Sequence, residues 1–157
     1  MALEIERKFL LANDAWRAVA DGGTLYEQGY IATATPGQTV RVRIAGDTGY
    51  LTLKGATTGI SRAEWEYEVP LSDAREMLET LCKFNRIRKK RHHVKAPDGL
   101  IWEIDVFEDE NAGLIVAEVE LGSEAQPFEL PDWIGTEVSE DVRYFNANLV
   151  ERPYSTW

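Results

Sequence analysis

The chain has 157 residues, of which 44% are hydrophobic and 28% are charged, and its formal net charge is −10. Length and composition predict one domain of ordinary size over residues 1–157, with enough apolar side chains for a real core. The acidic balance argues against a surface that binds nucleic acid or an anionic membrane, because both need clustered positive charge.

Alternation of apolar and polar residues predicts many short strands. In residues 40–44, three aliphatic side chains alternate with Arg41 and Arg43, and the glycines at positions 46 and 49 offer a turn, so a hairpin is expected there. Similar alternation recurs along the rest of the chain. The predicted strands are residues 3–11, 25–33, 40–44, 51–54, 62–69, 87–95, 100–107 and 115–121.

Three helices are predicted among these strands. A short helix is expected at residues 15–20. A cap at Ser72 and apolar residues spaced i, i+3, i+4 and i+7 predict an amphipathic helix that runs to about residue 84. Ser139 is predicted to cap the last helix. Many antiparallel strands with few helices indicate an α+β fold, built as a large sheet or barrel with helices packed outside.

The polar faces of the predicted strands carry full charges. Because side chains alternate along a strand, Glu4, Glu6 and Lys8 share one face of the first strand. Like charges in such rows repel one another unless opposite charge lies between them. The basic positions are Lys8, Arg41, Arg43, Lys54, Arg62, Lys89 and Arg91, and the acidic positions are Glu4, Glu6, Glu64, Glu66, Glu68, Glu103, Asp105, Glu118 and Glu120.

A closed barrel with these charged faces turned inward around water would resolve the repulsion. Inward arginines and lysines would bind a polyanion, and inward carboxylates would bind a hard cation such as Mg²⁺ or Mn²⁺. Both sets together describe a metal-bound polyphosphate as the ligand. The alternative is a solvated sheet face with cross-strand ion pairs, each contributing under ~1 kcal/mol.

The charged blocks resemble those of the CYTH superfamily, also called the triphosphate tunnel metalloenzymes. The segment EIERKF at residues 4–9 is similar to the N-terminal ExExK signature of that family. One local departure is Val142, where a polar residue or proline is expected. The other matching blocks follow in family order: Arg41-Val42-Arg43, Tyr50 to Lys54, Ser61-Arg62 with Glu64, Glu66 and Glu68, Lys89 to Arg91, Trp102 to Phe107, Ala117 to Leu121, and Arg143-Tyr144.

The resemblance implies an eight-stranded antiparallel β-barrel tunnel with a charged lumen and helices packed outside. It also implies divalent-metal-dependent hydrolysis of a triphosphate, with inorganic tripolyphosphate as the first choice of substrate. Lys8 and Tyr30 would form a pair that activates water, although the carboxylates beside Lys8 favour a positioning role over that of a base. The expected substrate-binding residues are Lys8, Arg41, Arg43, Lys54, Arg62, Lys89 and Arg91, and the expected ligands of Mg²⁺ or Mn²⁺ are Glu4, Glu6, Glu66, Asp105, Glu118 and Glu120.

Three other functions remain open at this stage. Within the family, the alternatives are a class IV adenylate cyclase and a thiamine triphosphatase. The non-enzymatic alternative is a module that binds polyphosphate or nucleotide without turnover, although simple anion binding does not need the carboxylates. The expected partner is a small-molecule triphosphate, with neither nucleic acid nor membrane, and a homodimer is left open.

The sequence also indicates the cellular compartment of the protein. Cys82 is the single cysteine, so no internal disulfide can form, which fits a reducing environment. Charges at positions 4, 6, 7 and 8 leave no room for the apolar region of a signal peptide. No apolar run approaches the ~20 residues that a membrane-spanning helix needs. We therefore expect a cytoplasmic protein.

Overall fold

Eight antiparallel strands close into a barrel. The computed structural model describes residues 1–33, 35–82, 84 and 86–157. The strands are connected in the ring order β1–β5–β4–β3–β2–β6–β7–β8 and back to β1, which confirms the predicted eight-stranded antiparallel barrel. They are β1 (Ala2–Leu11), β2 (Thr24–Ile31), β3 (Thr39–Ala45), β4 (Thr48–Lys54), β5 (Ser61–Val69), β6 (Arg86–Lys95), β7 (Ile101–Phe107) and β8 (Ile115–Glu120).

The ring order places β1 and β2 on opposite sides of the lumen. Three strands separate them in one direction, β5, β4 and β3, and three in the other, β8, β7 and β6. These two strands are consecutive in the chain but are not neighbours in the sheet. Side chains on the inner face of β1 therefore face those on the inner face of β2 across the lumen.

The largest apolar cluster lies outside the strand wall. Phe9, Trp102 and Val119 point outward from β1, β7 and β8, and Trp102 makes edge-on ring contacts with Phe9 and Trp133. Trp16 lies on the short 3₁₀ helix Ala15–Ala18 at the predicted helix position and covers this cluster with its fully buried side chain. The apolar strand faces are thus turned outward, away from the charged faces.

A ninth strand, β9 (Ile134–Glu137), lies outside the ring and was not predicted from alternation. A strand of four residues is too short for an alternation of polar and apolar side chains to be recognised in the sequence. β9 pairs with the C-terminal half of β1, along the edge whose N-terminal half pairs with β5. Arg7 fixes the junction by donating from Nε and Nη2 to the two carboxylate oxygens of Glu137, at 2.6 and 2.7 Å.

Helix α1 (Leu71–Thr80) packs on the outer face of β3 and β4 through Ala74 and Leu78. The predicted start was wrong, because Pro70 occupies the N-cap position and no side chain of the described residues caps the helix. The predicted end was also wrong, because the helix stops at Thr80, and residue 83 of the predicted range lies outside the described residues.

Helix α2 (Asn146–Glu151) lies at one end of the barrel. Its fully buried Leu149 packs against Ile87, Phe107 and Val116, which share the inner faces of β6, β7 and β8 with the charged residues. The predicted cap at Ser139 was wrong: its Oγ accepts a hydrogen bond from the backbone N of Lys8 at 2.9 Å instead. The remaining short helices are 3₁₀ turns at Asp109–Asn111, Val142–Tyr144 and Tyr154–Thr156.

No helix in the described part of the chain combines the length and the apolar character that crossing a membrane requires.

Gly29 sets how closely the end of α1 approaches the barrel. A Cβ atom on Gly29 would lie 2.5 Å from the Cβ of Cys82 and 3.0 Å from the Cδ2 of Leu78. We expect Gly29→Ala to lower the free energy of unfolding by about 1–3 kcal/mol, because the helix would be pushed off β2. Urea denaturation followed by circular dichroism measures the loss.

Gly22→Ala is the matched control, since a Cβ there meets no atom within 4 Å. It should leave the free energy of unfolding within about 0.5 kcal/mol of the parent value. Equal stability of the two variants would contradict the close approach of α1 at Gly29.

Candidate functional site

The barrel encloses a cavity of about 900 Å³. The inner faces of the strands supply most of its lining, as the alternation of charged residues predicts. Asp105 is the one predicted site residue that does not line it. The predicted site residues that the structure brings together around this cavity are Glu4, Glu6, Lys8, Tyr30, Arg41, Arg43, Lys54, Arg62, Glu66, Lys89, Arg91, Glu118 and Glu120.

Asp105 lies behind the cavity wall and holds two of its cations. Its side chain is 1% exposed. Its two oxygens accept from Arg91 Nε and Nη2 at 2.8 and 2.9 Å, and Oδ2 also accepts from Lys89 Nζ at 2.6 Å. Burial alone would raise the pKa of Asp105, but Arg91 and Lys89 lower it far below its usual range. The carboxylate is therefore charged and fully engaged.

Lys89 and Arg91 respond differently to the same carboxylate. Burial lowers the pKa of the completely buried Lys89 to about 7, against the opposing effect of Asp105. Arg91 keeps its charge, because Asp105, Glu103 and Glu118 raise its pKa well above the ordinary value in spite of burial. Lys89 Nζ also donates to Asn146 Oδ1 at 3.2 Å, which ties helix α2 to the cavity wall.

Arg41 and Arg43 extend into the cavity from β3, and not all of their hydrogen-bond donors have partners among the described residues. Arg41 Nη2 lies 3.2 Å from Thr52 Oγ1 and 3.4 Å from Glu66 Oε2, while its buried Nε has no hydrogen-bond partner among the described residues. Burial, together with Arg41 and Arg91, lowers the pKa of Arg43 to about 10. At neutral pH both guanidinium groups are charged, and an anion in the cavity would relieve their mutual repulsion.

Arg62 on β5 is held by the backbone. Its Nε donates to Gly55 O at 3.0 Å and its Nη2 to Gly37 O at 3.2 Å. Burial lowers the pKa of Arg62, partly offset by Glu4. These contacts aim the guanidinium into the cavity without neutralising it.

The acidic wall is formed where β1 pairs with β8. The register sets Glu6 opposite Glu120 and Lys8 opposite Glu118. Burial raises the pKa of Glu6 to about 8, with further contributions from Glu118 and Glu4. Among the residues that the structure describes, no cation lies within ion-pair distance of Glu6. This wall therefore has a deficit of positive charge.

Two lysines already form ion pairs with three nearby carboxylates. Lys54 Nζ lies 2.5 Å from Glu4 Oε2 and 3.2 Å from Glu64 Oε2. Lys8 Nζ lies 3.3 Å from Glu118 Oε1, and Lys8 and Arg91 lower the pKa of Glu118 to about 2 against the effect of burial. Within the described ranges, no three acidic, histidine or cysteine side chains are gathered around one point.

The donor set nevertheless fits a hard divalent cation. Carboxylate oxygens are the ligands that Mg²⁺ and Mn²⁺ take, and Glu6, whose raised pKa reflects burial without a counter-ion among the described residues, would be held as a carboxylate by a bound cation. Glu4, Glu118 and Glu120 lie beside it on the same wall. A cation there would need Lys8 and Lys54 to give up part of their present contacts.

Lys8 and Tyr30 lie on opposite walls, because β1 and β2 face each other across the lumen. Lys8 Nζ donates to Tyr144 O at 3.2 Å, and Tyr30 Oη accepts from Gln28 Nε2 at 3.1 Å. Burial lowers the pKa of Lys8, but Glu118 and Glu6 raise it by more, so its net shift is upward. Lys8 is an ammonium ion, and the two residues can meet only through something between them.

Sequence reasoning missed three residues that support the site: Tyr26, Gln28 and Asn146. Tyr26 and Gln28 share the inner face of β2 with Tyr30, so alternation extended along that strand would have included them. The Arg43 and Arg91 guanidinium carbons lie 4.9 and 5.1 Å from the Tyr26 ring centroid. Asn146 comes from α2, and no periodic signal links it to Lys89.

The charged lumen agrees with the comparison to known families. The family model described as the CYTH domain matches residues 2–154. The chain belongs to the CYTH family.

Two curated CYTH relatives cover nearly all of the chain, and both are named inorganic triphosphatase. The protein from Acetivibrio thermocellus is 49% identical over 157 residues, which is 100% of this chain and 99% of that protein. The protein from Nitrosomonas europaea is 40% identical over 151 residues, which is 93% of this chain and 95% of that protein.

Solved structures share the CYTH barrel. The inorganic triphosphatase NE1496 matches with a TM-score of 0.65 and 37% identity, over 96% of this chain and 95% of that chain. The PH1012 protein of Pyrococcus horikoshii matches with a TM-score of 0.57 and 21% identity, over 77% of this chain and 79% of that chain, and this likeness concerns the fold alone.

The Asp105 network makes a stability prediction for this CYTH barrel. We expect Asp105→Asn to lower the free energy of unfolding by about 3–5 kcal/mol, because Arg91 and Lys89 would remain buried without their carboxylate. Urea denaturation measures the loss. Asp14→Asn is the matched control, since its 3.7 Å pair with Arg17 is exposed, and it should change stability by under about 1 kcal/mol. A small loss at Asp105 would contradict its role as the shared counter-ion.

Proposed function

We propose that this chain hydrolyses inorganic tripolyphosphate to pyrophosphate and phosphate with the help of a divalent cation. One observation carries the proposal: a single cavity is lined by both cationic and carboxylate side chains, and within it Arg43 and Glu6 have no partner of opposite charge within ion-pair distance among the described residues. This charge pattern suits a substrate that is itself a polyanion bound to metal. Two relatives that span the chain and are named inorganic triphosphatase support the choice of substrate.

The proposed phosphate-binding residues are those whose cationic groups reach the cavity. Arg41 and Arg43 line the cavity and keep guanidinium N–H groups without a partner among the described residues, and guanidinium donors suit phosphate oxygens. Arg91 is held rigidly by Asp105, so it would present a fixed edge to the substrate. The full proposed set is Lys8, Arg41, Arg43, Lys54, Arg62, Lys89 and Arg91.

The proposed metal ligands are Glu4, Glu6, Glu66, Glu118 and Glu120. Asp105 is reassigned, because both of its oxygens hold Arg91 and Lys89 and it does not line the cavity. Bound Mg²⁺ or Mn²⁺ would supply neutralisation of phosphate charge and polarisation of a phosphoryl oxygen. We propose that Asp105 instead positions two of the substrate-binding cations.

Lys8 and Tyr30 are proposed to act on the substrate from opposite sides. A water molecule attacks the terminal phosphorus, the bond to the bridging oxygen breaks, and the electron pair leaves with pyrophosphate. Because phosphoryl transfer passes through a loose transition state, positioning and charge stabilisation matter more than early proton removal. The Lys8 ammonium is suited to that task, since Glu118 and Glu6 keep it protonated.

A substrate panel tests the proposed activity. Purified protein is incubated with tripolyphosphate, ATP or thiamine triphosphate in Mg²⁺ or Mn²⁺, and free phosphate and cyclic AMP are measured. We expect phosphate release to be fastest from tripolyphosphate and to stop when EDTA removes the cation. Cyclic AMP as the main product would favour the cyclase, preference for thiamine triphosphate would change the substrate, and binding without turnover would favour the non-enzymatic module.

Glu6→Gln separates metal binding from folding. The substitution replaces a buried carboxyl group that is costly to ionise and breaks no ion pair among the described residues, so the metal-free protein should unfold at the same or a higher temperature. Phosphate release at saturating Mg²⁺ should fall roughly 100-fold or more, because charge neutralisation at the phosphate is worth several kcal/mol. The thermal shift that Mg²⁺ produces in the parent protein should shrink with it.

Glu76→Gln is the control for this variant. Glu76 is an exposed carboxylate on α1, outside the cavity, and its replacement should leave turnover and the Mg²⁺-dependent thermal shift unchanged. Near-parental turnover in Glu6→Gln would argue against the assignment of the acidic wall to metal.

A further inference from the structure

Gln28 is a fully buried amide in the wall of the barrel. Its relative exposure is 0%, and it lies on the inner face of β2 between Tyr26 and Tyr30. In the sheet register it stands beside Arg43 of β3 and Ile87 of β6. A buried amide is costly unless its polar atoms are bonded, so its two contacts constrain the neighbouring groups.

The chemistry of the partners fixes the direction of each hydrogen bond. Arg43 Nε can only donate, so the atom facing it at 3.0 Å must be the amide oxygen of Gln28. The amide nitrogen therefore faces Tyr30 Oη at 3.1 Å and donates to it. The phenol oxygen is an acceptor in this contact, so its own hydrogen must point elsewhere. Tyr30 lines the cavity, which makes the lumen the available direction.

Gln28 gives Arg43 a neutral partner, whereas most other cations of the cavity are paired with carboxylates and Arg62 is held by backbone carbonyls. Lys54, Lys8 and Arg91 are each paired with carboxylates. No carboxylate of the described residues lies within ion-pair distance of Arg43, whose polar partner is the neutral amide. The Tyr26 ring lies against the same guanidinium group, with its centroid 4.9 Å from the guanidinium carbon. A neutral acceptor holds the group in place and leaves its charge for a ligand.

We infer that Gln28 is a positioning residue that sets two directions at once: the Tyr30 hydroxyl hydrogen and the Arg43 guanidinium both turn toward the polyphosphate. The inference rests on the proposed function and names how two of its groups are aligned. Gln28 itself does not line the cavity and acts through its two neighbours.

Two substitutions disturb the two hydrogen bonds of Gln28 in different ways. Gln28→Glu keeps the size of the side chain, but its carboxylate pairs with Arg43 and accepts the Tyr30 hydrogen, so both alignments are lost. We expect KM for tripolyphosphate to rise at least about tenfold, the scale of one hydrogen bond to a charged group. Gln28→Met keeps the approximate volume without hydrogen bonds, and we expect kcat to fall about tenfold as the hydroxyl loses its fixed orientation.

Double variants show whether Gln28 acts through these partners. In a Tyr30→Phe background, Gln28→Met should cause no further loss of kcat, and in an Arg43→Ala background, Gln28→Glu should cause no further rise in KM. A structural defect would instead lower activity equally in every background. Gln126→Glu is the matched control, because it makes the same substitution outside the cavity at a residue that keeps its acceptor contact with Gly122 N.

The outcomes distinguish this inference from the proposed function. Parental KM and kcat in both Gln28 variants, or full additivity in the double variants, would overturn the role of Gln28. If Tyr30→Phe alone leaves kcat unchanged, the catalytic role of Tyr30 fails and the orientation of its hydroxyl fails with it. If the parent protein releases no phosphate at all, the proposed function fails, and calorimetric binding of tripolyphosphate decides the role at Arg43. Gln28→Glu should then weaken binding at least about tenfold, and unchanged affinity would overturn it.

Discussion

Charged strand faces cannot lie in a dry interior, and the whole architecture follows from that constraint. An unpaired ion in an apolar core costs more than the fold can supply. The barrel therefore keeps Glu6, Arg43 and their neighbours around a cavity of about 900 Å³. The main apolar cluster, built on Phe9, Trp102 and Val119, lies outside the strand wall. Across most of the sheet, the polar side chains therefore face the inside of the barrel and the apolar side chains face outward.

Within the lumen, many charged groups form ion pairs, and a few have no partner of opposite charge among the described residues. Asp105 concentrates one negative charge behind Arg91 and Lys89, which fixes these cations while leaving the space in front of them free. Glu6, on β1, lies near Glu4 and Glu118 and has no cation within ion-pair distance among the described residues. Glu6 and Arg43 would each be stabilised by a partner of opposite sign. A ligand carrying both signs, an anion with its bound metal, would supply both partners.

The sequence allowed prediction of the barrel and of most charged residues lining its cavity, because alternation with period two is a strong signal when one face is charged. It did not reveal what depends on contacts between distant segments. β9 is too short for a period to appear, and its place is set by Arg7 and Glu137. Asp105 fits the alternating pattern of its strand, so only the three-dimensional contacts show that its oxygens are taken. The predicted caps at Ser72 and Ser139 were wrong, because a serine side chain can cap a helix but need not do so.

The placement of Lys8 and Tyr30 on strands half a turn apart has a mechanical consequence. Their separation is the width of the barrel, which the number and tilt of the strands determine rather than any local loop. A change on the outer surface that flattened the barrel into an oval would alter the gap between them. Residues outside the cavity, including those beneath α1, would therefore influence the distance between Lys8 and Tyr30.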